Sequence, residues 1–181
     1  HVIFYLSGRQ KLIYNDVRKF GFIKTYNKIN FLNNFHFKSL GPEPLKRNFN
    51  YKYFVNFIDG KKRNVKSLLM DQKFVSGLGN IYVNEILFLS KLSPKKRGNK
   101  VTKIQCDEII KFSKIVLNRA IKFGGTTLND YHNAENKPGY FKIKLFVYDR
   151  EGEDCKECKS KIFQKKKLYL LQRKIFWMLK K

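Results

Sequence analysis

Apolar positions along this chain change their spacing twice. The first stretch, "HVIFYLS", is dense in β-branched and aromatic residues, Gly8 breaks it, and "KLIYND" repeats the pattern. This predicts a β-hairpin. "RKFGFIKTY" reads as a third strand. "LGPEPLKRNFN", Leu40–Asn50, holds two of the four prolines and reads as a linker. Beyond it the period becomes helical. Tyr51–Ile58 and Val65–Met70 are short helix candidates. "GLGNIYVNEILFLSKL" opens on Gly77 and Gly79 and carries a stripe at Tyr82, Val83, Ile86, Leu87 and Leu89, with Pro94 as the expected stop. Thr102 and Gln105 form a capping-box pattern. The long helix it predicts has its stripe at Cys106, Ile109, Ile110, Ser113, Val116, Leu117, Ala120 and Ile121, and Gly124 and Gly125 end it. Strand patterns return in "YFKIKLFVYD" and "KKKLYLLQRKIFWML", with a C-x-x-C turn between them. The expected class is α+β.

Composition sharpens the picture. Lys and Arg number 39 against 14 Asp and Glu, a net charge of +25 in 181 residues. Solubility does not require so large an excess, and a polyanion is the implied partner, nucleic acid first and an anionic membrane second. An AT-rich coding sequence would account for part of the lysine excess. No apolar run reaches the roughly 18 residues of a spanning helix, and no signal-peptide pattern is visible. At 15% aromatic residues the chain is no disordered basic tail. Three cysteines, an odd and low number, suit a reducing compartment. Cys106 fits the helix stripe as a small core residue.

Four segments carry candidate chemistry. In "SGLGNIYVNE" two glycines precede a helix whose free N–H groups suit a phosphate, with Asn80 as a further donor; an ordinary glycine-rich helix start is the other reading. "GGTTLNDYHNAENKPGYF" is a long polar loop, either functional or plain surface. "YNDVRKFG" sets Arg18 and Lys19 beside Phe20, which suits a minor-groove wedge or a core aromatic with surface cations. Cys155 and Cys158 are half of a tetrahedral zinc set, and after Cys158 the sequence has no Cys, His, Asp or Glu.

Taken together, "LIYNDVRKFG", "LGPEPL", "DQKFVSGLGNIYVNEILF", "GGTTLNDYHNAENKPGYF" and "VYDREGEDCKEC" resemble, in order, the C-terminal two-thirds of the bacterial formamidopyrimidine-DNA glycosylases. The resemblance implies strands of a partial N-terminal β-sandwich (residues 1–40), a linker (41–50), a helix–two-turn–helix domain (51–140) with a lesion loop (124–140), and a C-terminal β-hairpin finger (141–181). It implies base-excision repair: an 8-oxoguanine or formamidopyrimidine is flipped from double-stranded DNA, its glycosidic bond is broken, and the abasic site is cleaved. A monomer in the bacterial cytoplasm is implied as well.

By the same resemblance Arg18 faces the orphaned base and Phe20 fills the gap. Lys61, Asn80 and Tyr82 belong to the DNA-binding set, and Thr126, Leu128, Asn129, Asp130 and Tyr131 cradle the flipped base. Arg173 is the finger arginine that contacts phosphates and assists elimination. The family's nucleophile is an N-terminal proline, with a neighbouring glutamate and a lysine in the same domain. The match begins in mid-domain, so His1 is expected to be a cut point and the 181 residues to lack that machinery. The zinc of the family is in doubt: Met178 stands where the third cysteine is expected, and the fourth falls near Lys181. The alternative function is a non-catalytic DNA-binding module.

Overall fold

The structure is a computed structural model, and it describes residues 2–16, 19, 21–27, 33–126, 141–165 and 175–177. Two units emerge, His1–Lys38 and Ser39–Lys181. The α+β expectation holds.

In the first unit β1 (Val2–Tyr5) pairs antiparallel with β2 (Lys11–Tyr14), with Val2 opposite Tyr14 and Tyr5 opposite Lys11. Gly8 (φ 73°) and Arg9 (φ 59°) make the left-handed turn between them. Both strands keep apolar side chains in solvent, among them Ile13 and Leu12. The expected third strand is absent among the described residues. Gly21–Asn27 are irregular, and the Gly21 N–H donates to the Asp16 carboxylate at 2.6 Å instead of joining a ladder. A short helix α1 (Phe35–Lys38), not foreseen from the strand-like pattern, closes the unit.

The α-helices of the second unit, among the described residues, are α2 (Tyr51–Ile58), α3 (Val65–Leu69), α4 (Asn80–Leu89) and α5 (Lys103–Lys122). Side chains cap three of them. Asn50 accepts the Tyr53 N–H, Asn64 the Ser67 N–H, and Thr102 the Gln105 N–H in the expected capping box. α5 buries Cys106, Ile109, Ile110, Ser113, Val116 and Ala120 as its stripe predicts. Ile121 departs from it and is 65% exposed. α4 ends five residues before Pro94. Lys91 turns left-handed (φ 51°) and the Leu92 N–H returns to the Leu87 carbonyl at 3.0 Å. This backbone motif, sealed by buried Leu92, ends the helix without proline.

Aromatic residues dominate one end of the core. Phe74 stacks on Phe57 at 4.2 Å and meets Phe54 edge-on at 5.0 Å, with Phe49 at 6.3 Å. Leu40–Asn50 is tied to this core: Phe49 is buried, the Gly41 N–H donates to the Gln72 carbonyl, and the Ser76 N–H donates to the Pro42 carbonyl.

The strand expected over "YFKIKLFVYD" does not form among its described residues, Phe141–Asp149. Phe141–Lys144 forms a 3-10 turn, and turns follow it. The reason is Glu85, whose carboxylate takes the N–H groups of Phe146, Val147 and Tyr148 that a sheet would have used. Of the last strand pattern, β4 (Ile175–Trp177) pairs antiparallel with β3 (Phe163–Lys165). No helix of the described residues is long and apolar enough to cross a membrane.

Candidate nucleic-acid interface

The turns between α3 and α4 are held from three sides. The Asp71 side chain accepts the Lys73 N–H at 3.1 Å and the Arg63 guanidinium at 2.8 Å. Arg63 holds the Asp71 carboxyl below its ordinary range. Gln72 spans the glycine turn: its Oε1 accepts the Gly77 N–H at 2.8 Å and its Nε2 donates to the Leu78 carbonyl at 3.0 Å. Phe74 is fixed by the ring cluster and by the Tyr53 hydroxyl, which donates to its carbonyl at 2.7 Å. Burial raises the Tyr53 phenol above its usual value. Gly77 (φ 85°) supplies the left-handed step that lets the chain turn into α4.

At the start of α4 the helices differ. Gly79 occupies the N-cap and has no side-chain cap bond, unlike the caps of α2, α3 and α5. First-turn N–H groups without a side-chain acceptor carry the positive end of the helix dipole and suit an anion. Asn80 is the first helical residue and half-buried. A buried polar chain braces it: Lys66 Nζ donates to Asn84 Oδ1 at 3.0 Å, and Asn84 Nδ2 donates to the Asn80 carbonyl at 2.7 Å and to its Oδ1 at 3.3 Å. No motif in the sequence marks Lys66 and Asn84. Their signal was a polar residue inside an otherwise apolar helical stretch.

Tyr82, two residues after Asn80 in the first turn of α4, lies 3.4 Å from Thr126 Oγ1 through its hydroxyl. Its ring sits 6.2 Å from that of Phe141. The Phe141 N–H donates to the Gly125 carbonyl at 3.1 Å, so Gly125 and Phe141 meet beside Tyr82. Leu128, Asn129, Asp130 and Tyr131 themselves lie outside the described residues, as do Arg18, Phe20, Arg173 and Met178. Lys61 is exposed on the loop before α3, over the Phe57 ring at 5.1 Å.

The cysteine turn is an apolar knuckle. Cys155 is fully buried with Val147 and Ile162, while Cys158 is exposed. The Cys155 N–H donates to the Ser160 carbonyl and the Lys159 N–H returns to the Cys155 carbonyl. Of the nearby carboxylates that could complete a metal set, Glu153 pairs with Arg150 and Asp154 with Lys161. Among the described residues no group of three or more His, Cys, Asp or Glu is placed to hold a metal ion. Two cysteines, one of them packed in an apolar pocket, are a poor fit for zinc.

Glu85 links the knuckle to α4. It is 1% exposed, and its three N–H bonds are 2.7, 2.9 and 2.9 Å long. Burial raises its carboxyl above the ordinary value, while the three N–H bonds and Lys156 pull it back. Lys156 donates to the Leu145 carbonyl at 2.8 Å, and Arg150 to the Phe146 and Asp154 carbonyls.

A pair of helices joined by clamped turns, with an open start to the second helix, defines the helix–two-turn–helix class. The chain belongs to the formamidopyrimidine-DNA glycosylase family, whose H2TH domain matches residues 40–132. It is 43% identical over 166 residues to the formamidopyrimidine-DNA glycosylase of Rickettsia felis, and as close to that of Rickettsia bellii. These matches cover 92% of the chain and 60% of the relatives, so the chain spans about three-fifths of the length of the curated proteins it matches. Among solved structures it is similar to a Lactococcus lactis Fpg mutant in complex with Fapy-dG-containing DNA. That match has a TM-score of 0.85 and 32% identity, covering 94% of this chain and 61% of the other. The Lactococcus lactis Fpg with abasic-site DNA gives a TM-score of 0.83 at 34% identity, over 92% and 60%.

Proposed function

We propose that these 181 residues are the DNA-holding part of a base-excision repair enzyme that removes oxidised purines and cleaves the resulting abasic site. The observation that carries this reading is the α4 start: an uncapped Gly79, with Asn80 braced from behind by Asn84 and Lys66. On a chain of net charge +25 that arrangement suits a DNA phosphate. The relatives' bound DNAs, with Fapy-dG or an abasic site, suggest the lesion class. Tyr82 and Thr126 hinge the lesion loop, in which Leu128, Asn129, Asp130 and Tyr131 cradle the extruded base. Arg18 and Phe20 fill the space it leaves, and Arg173 reaches the phosphates from the finger. Residues 1–40, 41–50, 51–140 and 141–181 serve as sandwich strands, linker, DNA-binding domain and finger. The protein acts as a monomer in the cytoplasm.

The 181 residues contain no counterpart of the family's proline nucleophile, so on their own they bind without forming a Schiff base. The cysteine knuckle, residues 145–162, is held by the packing of Cys155 with Val147 and Ile162 and by Glu85. Borohydride trapping on an abasic-site duplex, run beside a binding titration, tests the binding and the absence of a Schiff base. Binding without a trapped adduct is expected. A trapped adduct refutes the division of labour, and absence of DNA binding refutes the reading as a whole.

A further inference from the structure

The C-x-x-C pair of the knuckle has no part in the DNA reading, and its surroundings among the described residues fit zinc poorly. Its two thiols are nevertheless held in a defined relation. The Lys159 N–H donates to the Cys155 carbonyl at 3.0 Å and the Cys155 N–H to the Ser160 carbonyl at 2.8 Å, so residues 155–160 close on themselves. Lys159 takes a left-handed step (φ 63°) at that closure. Residues 156–158 are a turn, with Cys155 just before it and Cys158 at its end. A turn brings residues three apart to less than about 7 Å between Cα atoms, and disulfides span about 4.4–6.8 Å. The two cysteines are within reach of each other along the existing backbone path.

Their surroundings differ. Cys158 is exposed, whereas Cys155 is fully buried with Val147 and Ile162. The Glu157 N–H donates to Cys155 Sγ at 3.4 Å, and a hydrogen bond to sulfur favours the thiolate, the form that attacks. Lys156 and Lys159 stand in the turn; Glu153 is paired with Arg150 and Asp154 with Lys161, and Glu157 is exposed. An exposed thiol in a cation-rich turn, backed by a second thiol packed too closely for a bulky adduct, is the arrangement of an attacking and a resolving cysteine. Cys106 has neither feature: it is buried in α5, and burial pushes its thiol up to about 11.

We propose that Cys155 and Cys158 are a thiol–disulfide exchange site, which takes a small disulfide of the glutathione class and closes to an intramolecular disulfide. The Cys158 thiolate attacks one sulfur of the small disulfide, forms a mixed disulfide and expels one thiolate. The Cys155 thiolate then attacks the Cys158 sulfur, and the second small thiolate leaves. Each cysteine gives its proton to solvent; the pair loses two electrons and the small disulfide gains them. The product ties the turn that leads through Ile162 into β3 (Phe163–Lys165), a covalent link where the described residues assemble no metal set. The inference is independent of DNA binding.

The test incubates the 181-residue chain with reduced and oxidised glutathione at several ratios, alkylates the remaining thiols, and maps the products by mass spectrometry. The expected product is a monomer lighter by two hydrogens, its fraction rising with the oxidised share, while Cys106 is alkylated only after unfolding. Cys158→Ser is expected to stay unmodified, because Cys155 is buried. Cys155→Ala is expected to stop at one glutathione on Cys158, since no thiol displaces it. The unsubstituted chain and Cys158→Ser, an exposed change, decide the matter if Cys155→Ala does not fold. Two thiols still reduced at the most oxidising ratio overturn the proposal. So does a glutathione on each cysteine, a dimer linked through Cys158, or protection of both thiols by stoichiometric zinc, which would assign the pair to a metal site.

Discussion

The Glu85 carboxylate accepts the Val147 N–H at 2.9 Å, across 62 residues of sequence. One acid on α4 thereby fixes the strap that leads into the cysteine knuckle. Glu85→Ala would leave three N–H groups without an acceptor, at a cost of about 1–3 kcal/mol each where they stay buried. The expected loss of unfolding free energy in urea is on the order of 3 kcal/mol or more. Glu85→Gln keeps one acceptor oxygen and should lose less. A loss under about 1 kcal/mol for the alanine variant would mean that water replaces the carboxylate.

Asp71 gives the two turns a pH dependence. Its folded carboxyl is held below its ordinary value, chiefly by Arg63. A lowered folded value contributes stability that is present above the unfolded value of 3.8 and fades as pH falls through the folded one. The pair is partly exposed, so the contribution is less than about 1 kcal/mol. Stability curves of the chain and of Asp71→Asn should differ at pH 6 and draw together as pH falls below 3.8. Parallel curves throughout would remove Arg63 from the account.

Gly41 marks the tightest approach in this unit. A Cβ there would overlap the Phe74 carbonyl, which already accepts the Tyr53 hydroxyl. Gly41→Ala must displace the turns, and overpacking of this kind costs about 1–3 kcal/mol. DNA affinity should fall along with stability, since Phe74 anchors the path to Asn80. Unchanged affinity would show that the two turns tolerate the shift.

The knuckle predicts insensitivity to metal. Cys155 is packed with Val147 and Ile162, and no third ligand is placed among the described residues. Chelation should leave the melting temperature where it is, while Cys155→Ser should lower it by burying a hydroxyl among apolar neighbours. A fall in melting temperature on chelation would mean that zinc is held through residues beyond those described.

What the sequence made legible was local. Thr102 and Gln105 announced α5 because a capping box lies within four residues, and the same nearness made the β1–β2 turn at Gly8 readable. The end of α4 was missed because the left-handed step at Lys91 stops the helix before Pro94 can. The strand expected after residue 140 failed for a distant cause. Its N–H groups are taken by Glu85, which looked like one more polar residue on an amphipathic helix. The cysteine pair was visible, but the burial of one and exposure of the other depend on Val147 and Ile162. At the site, Asn80 and Tyr82 followed from motif. Gln72, Lys66 and Asn84 act through side-chain bonds that no spacing encodes.

The start of α4 is proposed to hold a DNA phosphate through Asn80 and its open N–H groups. The most direct measurement is the affinity of the chain and of Asn80→Ala for a duplex carrying an abasic-site analogue, from low to moderate salt. Affinity is expected to fall steeply with salt, and Asn80→Ala to bind about tenfold more weakly at every salt concentration, the loss of one charge-assisted bond of about 1.5 kcal/mol. Affinity that is flat with salt, or equal for the two proteins, would contradict it.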